Sequence, residues 1–525
     1  MKRARGLVGN ACALVEKSRA HLAACDVDDV QMEVYDLALS TAELRAANVM
    51  LDYAEQPATP DEEAFKQSLA RLYCADTLAG VLGRLRSRHS AFGLRTGDFK
   101  PALERFIDDC LDPSHVAGLG KTVRQRQGRG PVDHLDDEKS LMRETFRQFA
   151  EERVVPLAAD IHRQDRVIPD TIIDGLRELG CFGLSVPARY GGLKPDGDED
   201  SLGMVVVTEE LSRGSLGAAG SLITRPEIMA RAVLAGGTDA QKARWLPGIA
   251  GGDPLVAISV TEPDTGSDVA AVSLRASACE RNGSPGWLLD GGKTWCTFAG
   301  KAGAILVLAR TDPDVSPPHR GLSLFVVEKP SSEEQSFSVE SPLGGRLAGR
   351  AIPTIGYRGM HSFEMFFDGF FVPGDALVGE ADGRGRGFYY TMSGFAGGRL
   401  QTAARACGLM HAALDRALAY AEERKVFGRR VADYPLTLQK LARMASTLTA
   451  CQQFSYAVAR RMDAGGGELE ASLVKLMACR ASEWVTREAM QIHGGLGYAE
   501  ESDVSRYFVD ARVLSIFEGT EETLA

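Results

Sequence analysis

The sequence predicts a multidomain α+β protein in which a β domain lies between helical domains. Helical apolar periodicity dominates the first half of the chain, short β-rich runs separated by Gly, Pro and Asn follow, and long helical stretches return beyond Gly383. A length of 525 residues allows about three domains. We therefore expect a helical extension at 1–120, a helical domain at 132–254, a β domain at 255–380 and a second helical domain at 384–525.

Composition and charge are typical of an ordinary soluble protein. The net charge of −11 over 525 residues is mild, which argues against a nucleic-acid-binding or anionic-membrane surface. No apolar run approaches the roughly 18 residues of a membrane span, and the start MKRARGLVGN lacks the apolar core of a signal peptide. The ten cysteines show no C-x-x-C spacing, so we expect reduced packing residues, no metal site and a cytoplasmic protein.

The extension at 1–120 shows helical stripes and no catalytic pattern. Leucines recur at helical spacing from Leu37 to Leu51, and Thr59–Pro60 is a typical helix start with an N-cap and a first-turn proline. The stripes predict a packed helical bundle whose apolar faces meet either the main body or another subunit. A basic connector is expected at Lys121–Pro131.

The β domain is predicted from runs rich in β-branched and aromatic residues. Asn282–Gly283 is a hairpin-turn signal within this region. The predicted strands are Leu255–Val260, Trp287–Leu289, Ile305–Ala309, Leu322–Val327 and Phe363–Val372.

Two segments of this domain have the composition of ligand-binding loops. In 260–268, VTEPDTGSD, Gly and small hydroxyl residues let backbone groups approach a planar ligand. In 292–297, GKTWCT, the indole of Trp295 stands two residues from the hydroxyl of Thr297, so the pair can stack on and hydrogen-bond to such a ligand. Taken singly, each segment is equally consistent with a structural turn.

The segment 491–520 carries the candidate acid–base chemistry. It reads QIHGGLGYAEESDVSRYFVDARVLSIFEGT, and Glu518 stands near its end between Phe517 and Gly519. When water is excluded from a carboxylate between an aromatic ring and a glycine, its charged form is destabilised and its pKa rises. A raised pKa is expected of a general base. For this motif alone, a helix cap or a solvent-facing carboxylate is the simpler interpretation.

Together these segments resemble the acyl-CoA dehydrogenase family. Its usual motifs are T-E-P-x-x-G-S-D, G-x-K-x-W-I-T, R-x-x-F-G, Q-I-x-G-G-x-G-Y, R-D-A-R and E-G-T; the third corresponds to Arg424–Gly428, and Cys296 and Phe298 are mild departures. The resemblance begins near Asp136. It implies a helical domain, a middle β-barrel-like domain and a C-terminal four-helix bundle, preceded here by the additional helical extension. Family sequences continue past E-G-T with a further helix, whereas this sequence ends at Ala525.

The resemblance implies an FAD-dependent acyl-CoA dehydrogenase that works as a homodimer or homotetramer and passes electrons to an electron-transferring flavoprotein. Glu518 would take the α-proton while the β-hydrogen leaves as hydride to flavin N5. Some members draw their base from the helix near Gly397–Arg399, where this chain has no acid, which leaves Glu518 as the matching candidate. The Arg and Phe of R-x-x-F-G would reach the FAD of a neighbouring subunit. The residues expected to contact FAD are Val260, Thr261, Ser267, Trp295, Thr297, Arg424, Phe427, Gln491, Gly494, Gly495 and Thr520.

Arginines near the expected acyl site favour a carboxylated substrate. Arg225 falls where relatives line the acyl pocket, and Arg399 and Arg405 lie on the helix after the β domain. A guanidinium pairs with a carboxylate far better than with an alkyl chain. The resemblance implies a short, branched C4 acyl chain, and we expect Arg225 or Arg399 to bind its carboxylate. Ser267 and Gly519 complete the implied substrate contacts. The alternative is that these arginines are surface residues or contact the CoA phosphates.

Three other functions share these motifs. A general short-chain or branched-chain acyl-CoA dehydrogenase would differ only in its pocket, an acyl-CoA oxidase would pass electrons to oxygen, and a flavin-bearing binding protein would show no turnover. The usual oxidase is longer on its C-terminal side, whereas the additional helices here are N-terminal. The net negative charge and the presence of the candidate base Glu518 argue against a flavin-bearing binding protein.

Overall fold

The computed structural model describes three stretches of the chain: residues 1–128, 130–131 and 133–525. They form two compact units: Met1–Thr145 together with Thr402–Ala525, and Phe146–Gln401. Two positions of the predicted domain organisation, Val132 at the start of the second domain and Arg129 in the connector, lie outside the described residues.

Helices dominate the secondary structure. In chain order they are α1 (Lys2–Leu22), α2 (Gln31–Glu55), α3 (Pro60–Ser87), α4 (Pro101–Leu111), α5 (Pro113–Gln125), α6 (Asp137–Phe149), α7 (Val155–Arg163), α8 (Asp170–Glu178), α9 (Ser201–Gly214), α10 (Thr224–Gly236), α11 (Asp239–Gly251), α12 (Glu380–Gly383), α13 (Gly387–Glu423), α14 (Pro435–Asp463), α15 (Glu468–His493), α16 (Asp503–Leu514) and α17 (Glu521–Leu524). Among the described residues, no helix combines the length and the apolar character needed to cross a membrane.

The N-terminal extension packs against C-terminal helices of the same unit. α2 and α3 contact α14, α2 also contacts α15, and α5 runs along α14. Gly120 makes the approach of α5 close, because a Cβ at that position would lie 2.1 Å from the Leu438 carbonyl oxygen of α14. The Ser446 hydroxyl of α14 donates to the Leu69 carbonyl of α3 at 2.9 Å. The apolar stripes of the extension therefore meet the C-terminal helices.

Short sequence signals predict some of the helix boundaries in this extension. Thr59 caps α3 as predicted, and its hydroxyl accepts a hydrogen bond from the Glu62 amide at 3.4 Å. The connector predicted from Lys121 is wrong in its first part, since α5 continues to Gln125.

The second unit contains an eight-stranded sheet, and a short hairpin lies in the first unit. The sheet has the order β1-β4-β2-β3-β8-β7-β6, with β5 paired to β4. In chain order the strands are β1 (Val256–Ser259), β2 (Arg275–Arg281), β3 (Ser284–Thr297), β4 (Ala304–Arg310), β5 (Leu322–Glu328), β6 (Ser336–Glu340), β7 (Arg346–Ile352), β8 (Ser362–Pro373), β9 (Lys425–Val426) and β10 (Arg429–Arg430).

The predicted β domain is confirmed, and its hairpin turn as well. All five predicted strands overlap observed ones, and Asn282–Gly283 joins β2 to β3 with φ of 52° and 76°, as a two-residue hairpin loop requires. The observed order of helices, sheet and helices is also the predicted order.

The sheet is buried on both of its faces around β4. Leu306 packs with Trp245 and Leu246 of α11 on one face, whereas Ile305 packs with Phe325 on the other. Alternation of side chains along a strand makes this possible with consecutive apolar residues. Strand β1 pairs with this doubly packed strand, so the loop that follows β1 leaves from the buried part of the sheet.

Candidate active site

Glu518 lies in a tight loop between α16 and α17. Its backbone has a φ of 55°, in the left-handed region, and Gly519 follows with a φ of 98°. Trp295 and Phe427, two other predicted site residues, share this conformation with φ of 57° and 49°. Each such non-glycine residue costs about 1–3 kcal/mol and persists only where its surroundings impose it. Three of the eleven described non-glycine residues with left-handed backbone are therefore predicted site residues.

The carboxylate of Glu518 is bound by two side chains of α13. Thr402 Oγ1 donates to Oε2 at 2.7 Å, and Arg405 Nη2 donates to Oε1 at 2.7 Å. Arg405 is fully buried, whereas the Glu518 side chain is 11% exposed. The sequence predicts apolar surroundings for this carboxylate, and the structure differs because α13 brings a guanidinium to it. The charged form is thereby stabilised rather than only desolvated.

The loop around Glu518 is anchored on α15. The fully buried Lys475 donates from Nζ to the Gly519 carbonyl at 2.5 Å, and Ser515 donates from its hydroxyl to Glu483 at 2.5 Å. The hydroxyl of Thr520, a predicted FAD contact, caps α17 and accepts from the Thr523 amide at 3.3 Å. The loop is therefore held on both sides of Glu518, at Ser515 and at Gly519.

The remaining predicted FAD contacts of the first unit are exposed. Phe427 is at the tip of the β9–β10 hairpin and 97% exposed, and Arg424 precedes the hairpin. Gln491, Gly494 and Gly495 lie at the exposed C-terminal end of α15, and a Cβ added at either glycine would meet nothing within 4 Å. An exposed phenyl ring and an approachable backbone are each suited to a partner surface or a planar ligand.

In the second unit, a buried ion pair joins the two predicted flavin loops. Lys293 Nζ donates to Glu262 Oε1 at 2.9 Å and to the Val260 carbonyl at 2.8 Å. Burial lowers the pKa of Lys293 to about 8, although Glu262 opposes this shift. The Thr294 amide also donates to the Thr261 carbonyl at 2.9 Å. The segments 260–268 and 292–297 therefore form one structural piece.

We expect Lys293→Met to lower the free energy of unfolding of the FAD-loaded protein by about 3–5 kcal/mol, because Glu262 would remain as an unpaired buried charge. Urea denaturation followed by circular dichroism measures this. Lys121→Met, at an exposed position of α5, should change stability by less than about 0.5 kcal/mol. If both substitutions changed the free energy of unfolding equally, Lys293 would not be the residue that joins the two segments.

Trp295 presents its indole to the surface at the end of β3. The pairing of β3 with β8 shifts register between Lys293 and Cys296, and the ring of Trp295 in that irregular segment is 55% exposed. A bulge re-aims side chains in this way. The Thr297 hydroxyl shares a 2.9 Å hydrogen bond with the Ser362 hydroxyl. Ser267 is exposed on the neighbouring loop.

Arg225 is a buried cation at the start of α10. It is 7% exposed, and its Nη1 donates to the Ser221 carbonyl at 2.8 Å and approaches the Met360 sulfur at 3.9 Å. No carboxylate among the described residues pairs with it. Burial raises the pKa of the Cys296 thiol to about 12, and Arg225 is close enough to oppose that shift. Arg225 therefore lies near the predicted flavin loop, whereas Arg399 is a partly buried residue of α13.

Within each unit taken by itself, residues predicted to contact FAD fit a planar, hydrogen-bonding cofactor. The exposed indole of Trp295 offers a stacking surface, and a Cβ at Gly266 would meet only the Thr261 methyl group, 3.9 Å away. Gly494 and Gly495 are equally open. In the part of the chain that the structure describes, no group of three His, Cys, Asp or Glu side chains could hold a metal ion.

Sequence reasoning missed two functions among these residues. Glu262 and Lys293 both stand in recognised motifs, and one acid and one lysine in two loops that share a ligand would have suggested their pairing. Arg405 was named only as one of the arginines near the expected acyl site, and nothing in local spacing signals that it reaches Glu518, 113 positions away.

Comparisons with known proteins agree with this architecture. Residues 136–253, 257–370 and 385–525 match the N-terminal, middle and C-terminal domains of acyl-CoA dehydrogenase. The chain is 41% identical over 443 residues to (2S)-methylsuccinyl-CoA dehydrogenase from Cereibacter sphaeroides, covering 84% of this chain and 78% of that protein.

Two solved structures show the same fold. Butyryl-CoA dehydrogenase from Megasphaera elsdenii has a TM-score of 0.67 at 28% identity, covering 75% of this chain and 97% of that one. A glutaryl-CoA dehydrogenase from Mycobacterium smegmatis in complex with FADH2 has a TM-score of 0.64 at 26% identity, covering 74% and 93%. The chain belongs to the acyl-CoA dehydrogenase family of FAD-dependent enzymes.

Proposed function

We propose that this enzyme oxidises a short, branched, carboxylated acyl-CoA, (2S)-methylsuccinyl-CoA, to mesaconyl-CoA, a step of the ethylmalonyl-CoA pathway. The observation that carries the choice of substrate is Arg225, a buried guanidinium without a carboxylate partner among the described residues. An unpaired buried charge is costly, so a substrate that supplies the missing anion gains a large share of its binding free energy there. The 41% identity to a methylsuccinyl-CoA dehydrogenase supports the same choice.

Glu518 is the proposed catalytic base. Its carboxylate removes the α-proton of the thioester, and Thr402 and Arg405 orient its two oxygens beforehand. Lys475 holds the Gly519 carbonyl, so the following peptide keeps its orientation as the thioester binds. A donor to the thioester carbonyl oxygen is needed because charge develops there, and the peptide N–H of Glu518 is the proposed one.

FAD, when bound, accepts the β-hydrogen as hydride. The proposed ring-binding residues are Val260, Thr261, Ser267, Trp295 and Thr297. Their two loops are joined by the Lys293–Glu262 ion pair, which keeps the stacking indole and the hydroxyl groups in a constant arrangement. Thr520, at the other side of the Glu518 loop, and the substrate contacts Ser267 and Gly519 complete the proposed site.

We also propose a homodimer or homotetramer. The almost fully exposed Phe427 and the 84% exposed Tyr498 support this, because large apolar rings on a surface are usually covered by a partner. Arg424, Phe427, Gln491, Gly494 and Gly495 would then bind the pyrophosphate and adenine of a neighbouring subunit's FAD. An electron-transferring flavoprotein as electron acceptor and a cytoplasmic location belong to the same proposal.

The test is anaerobic titration of the FAD-loaded protein with a panel of acyl-CoAs. We expect methylsuccinyl-CoA to bleach the flavin at the lowest concentration, and neutral branched or straight C4 thioesters to require at least about 30-fold more, the equivalent of about 2 kcal/mol. Succinyl-CoA, which has the carboxylate without the branch, separates the contribution of the charge from that of the methyl group.

Other outcomes would point to the alternative functions. Preferential bleaching by a neutral thioester would indicate a general short-chain or branched-chain dehydrogenase. Stoichiometric hydrogen peroxide in air, without an added acceptor, would indicate an oxidase. No bleaching by any thioester would indicate a flavin-bearing binding protein and would refute the proposal.

A further inference from the structure

Arg405 occupies an unusual place for an arginine in the core of this protein. It has no solvent exposure and is among the largest fully buried side chains. Its Nη2 donates both to Thr402 Oγ1 at 2.6 Å and to Glu518 Oε1 at 2.7 Å, and its guanidinium carbon lies 4.8 Å from the centre of the Phe517 ring. One side chain thus contacts the proposed base, the residue before it and the second hydrogen-bond donor to it.

The spacing along α13 explains how this cluster forms. Thr402 and Arg405 are three positions apart, so they project from the same face of the helix. Thr402 binds one oxygen of the Glu518 carboxylate and Arg405 binds the other. A carboxylate with both oxygens engaged by one helix face has little freedom to rotate, and its orientation is set before any substrate arrives.

The charges around this carboxylate come from α13, α15 and the loop itself. On α15, Lys475 donates to the Gly519 carbonyl, Glu483 accepts from the Ser515 hydroxyl, and the Cys479 thiol is held protonated because burial raises its pKa to about 12. Farther along, Arg480 pairs with Glu521 at 3.1 Å. Arg405 donates a hydrogen bond directly to Glu518.

We propose that Arg405 is a positioning residue that keeps the Glu518 carboxylate ionised and oriented in the resting enzyme, which extends activity toward acid pH. This inference rests on the proposed role of Glu518 as the base. Only the ionised carboxylate can take the α-proton, so an adjacent guanidinium preserves the active form when the pH falls. The same guanidinium makes the base weaker, because uptake of the proton ends the ion pair.

Different effects on the two sides of the pH profile distinguish this role from a purely structural one. Arg405→Gln should move the acid limb of the flavin-reduction rate upward by about one to three pH units, the range by which a neighbouring opposite charge shifts a carboxyl group. On the alkaline plateau its rate should remain within about tenfold of the parent rate. Loss of packing alone would lower the rate by the same factor at every pH.

The experiment is anaerobic stopped-flow reduction of the FAD-loaded enzyme as a function of pH, with whichever acyl-CoA bleaches the parent protein. Arg405→Lys keeps a cation but loses the planar fork, so its acid limb should lie between those of the parent and Arg405→Gln. Arg506→Gln is the matched control, because Arg506 is 5% exposed on α16 and pairs with Asp503 instead. Its acid limb should coincide with that of the parent.

The possible results separate this inference from the proposed function. If the parent is active and the acid limb of Arg405→Gln stays within about 0.3 pH units of it, or moves equally in Arg506→Gln, the role of Arg405 is refuted while Glu518 can still be the base. If Arg405→Gln does not fold, Arg405→Lys and Thr402→Val decide: both should shift the limb upward by a smaller amount, and an unmoved limb in both would overturn the inference. A parent protein that no thioester bleaches refutes both proposals.

Discussion

Glu518→Gln should remove nearly all reduction of the bound flavin by acyl-CoA. Glutamine has almost the same shape, and its amide oxygen can still accept hydrogen bonds from Thr402 or Arg405, so the loop should keep its conformation. It cannot take a proton at neutral pH. A positioned general base contributes about 10²–10⁴-fold, so anaerobic stopped-flow experiments should show a rate constant lower by at least about that factor.

The matched control is Glu522→Gln. Glu522 is exposed on α17, four positions after the proposed base, and the same chemical change there should leave the reduction rate within about twofold. The flavin content of both variants should equal that of the parent. A Glu518→Gln enzyme that reduces its flavin at the parent rate would refute the proposed mechanism, whichever thioester is used.

The fold was predictable where local pattern decides structure. Thr59–Pro60 marks the start of α3, and Asn282–Gly283 marks the β2–β3 turn, because caps and tight turns depend on a few adjacent residues. The pattern does not predict β2, β6 or β7. These strands carry exposed Arg, Ser and Glu side chains in alternation, and their pairing partners rather than their own apolar content hold them in the sheet.

The α1 and α5 helices show a second limit of local patterns. Both helices contain glycines, and in isolation a glycine lowers helix propensity by about 1 kcal/mol. At Gly120 the loss is offset by the close contact with the Leu438 carbonyl, which no larger residue would allow. The spacing of residues in the sequence does not predict a tertiary contact of this kind.

For the candidate site, motif order predicted which residues to examine but not their conformations. The left-handed backbone of Trp295, Phe427 and Glu518 is imposed by surrounding structure, because none of these residue types favours it. The surroundings of the arginines were equally unpredictable from spacing. Arg405 and Arg225 are both buried, yet one contacts a carboxylate of its own chain and the other contacts a carbonyl and a sulfur.

This difference assigns the two arginines to different tasks. The charge of Arg405 is compensated within the protein, so its removal acts on Glu518. The charge of Arg225 is not compensated by any carboxylate in the described residues, so its removal leaves no unpaired anion behind. Substitution of Arg225 should therefore spare the fold and act on the ligand that supplies the anion.

Arg225→Met should abolish the preference for a carboxylated substrate. We expect kcat/KM for methylsuccinyl-CoA to fall by at least about 30-fold, mainly through KM, because a charge-assisted pair to a desolvated carboxylate contributes about 2 kcal/mol or more. The value for 2-methylbutyryl-CoA, which has the branch but no carboxylate, should change by less than about threefold. Steady-state assays with an artificial electron acceptor measure both values.

Two further measurements make this prediction specific to Arg225. Arg399→Met is the matched control, since Arg399 is the other arginine predicted to bind the substrate carboxylate; the variant with the larger loss on the diacid identifies the residue that binds it. The free energy of unfolding of Arg225→Met should be equal to or higher than that of the parent, because a buried cation is replaced by an apolar side chain of similar length. Equal losses of kcat/KM on both thioesters would show that Arg225 shapes the pocket without recognising a carboxylate.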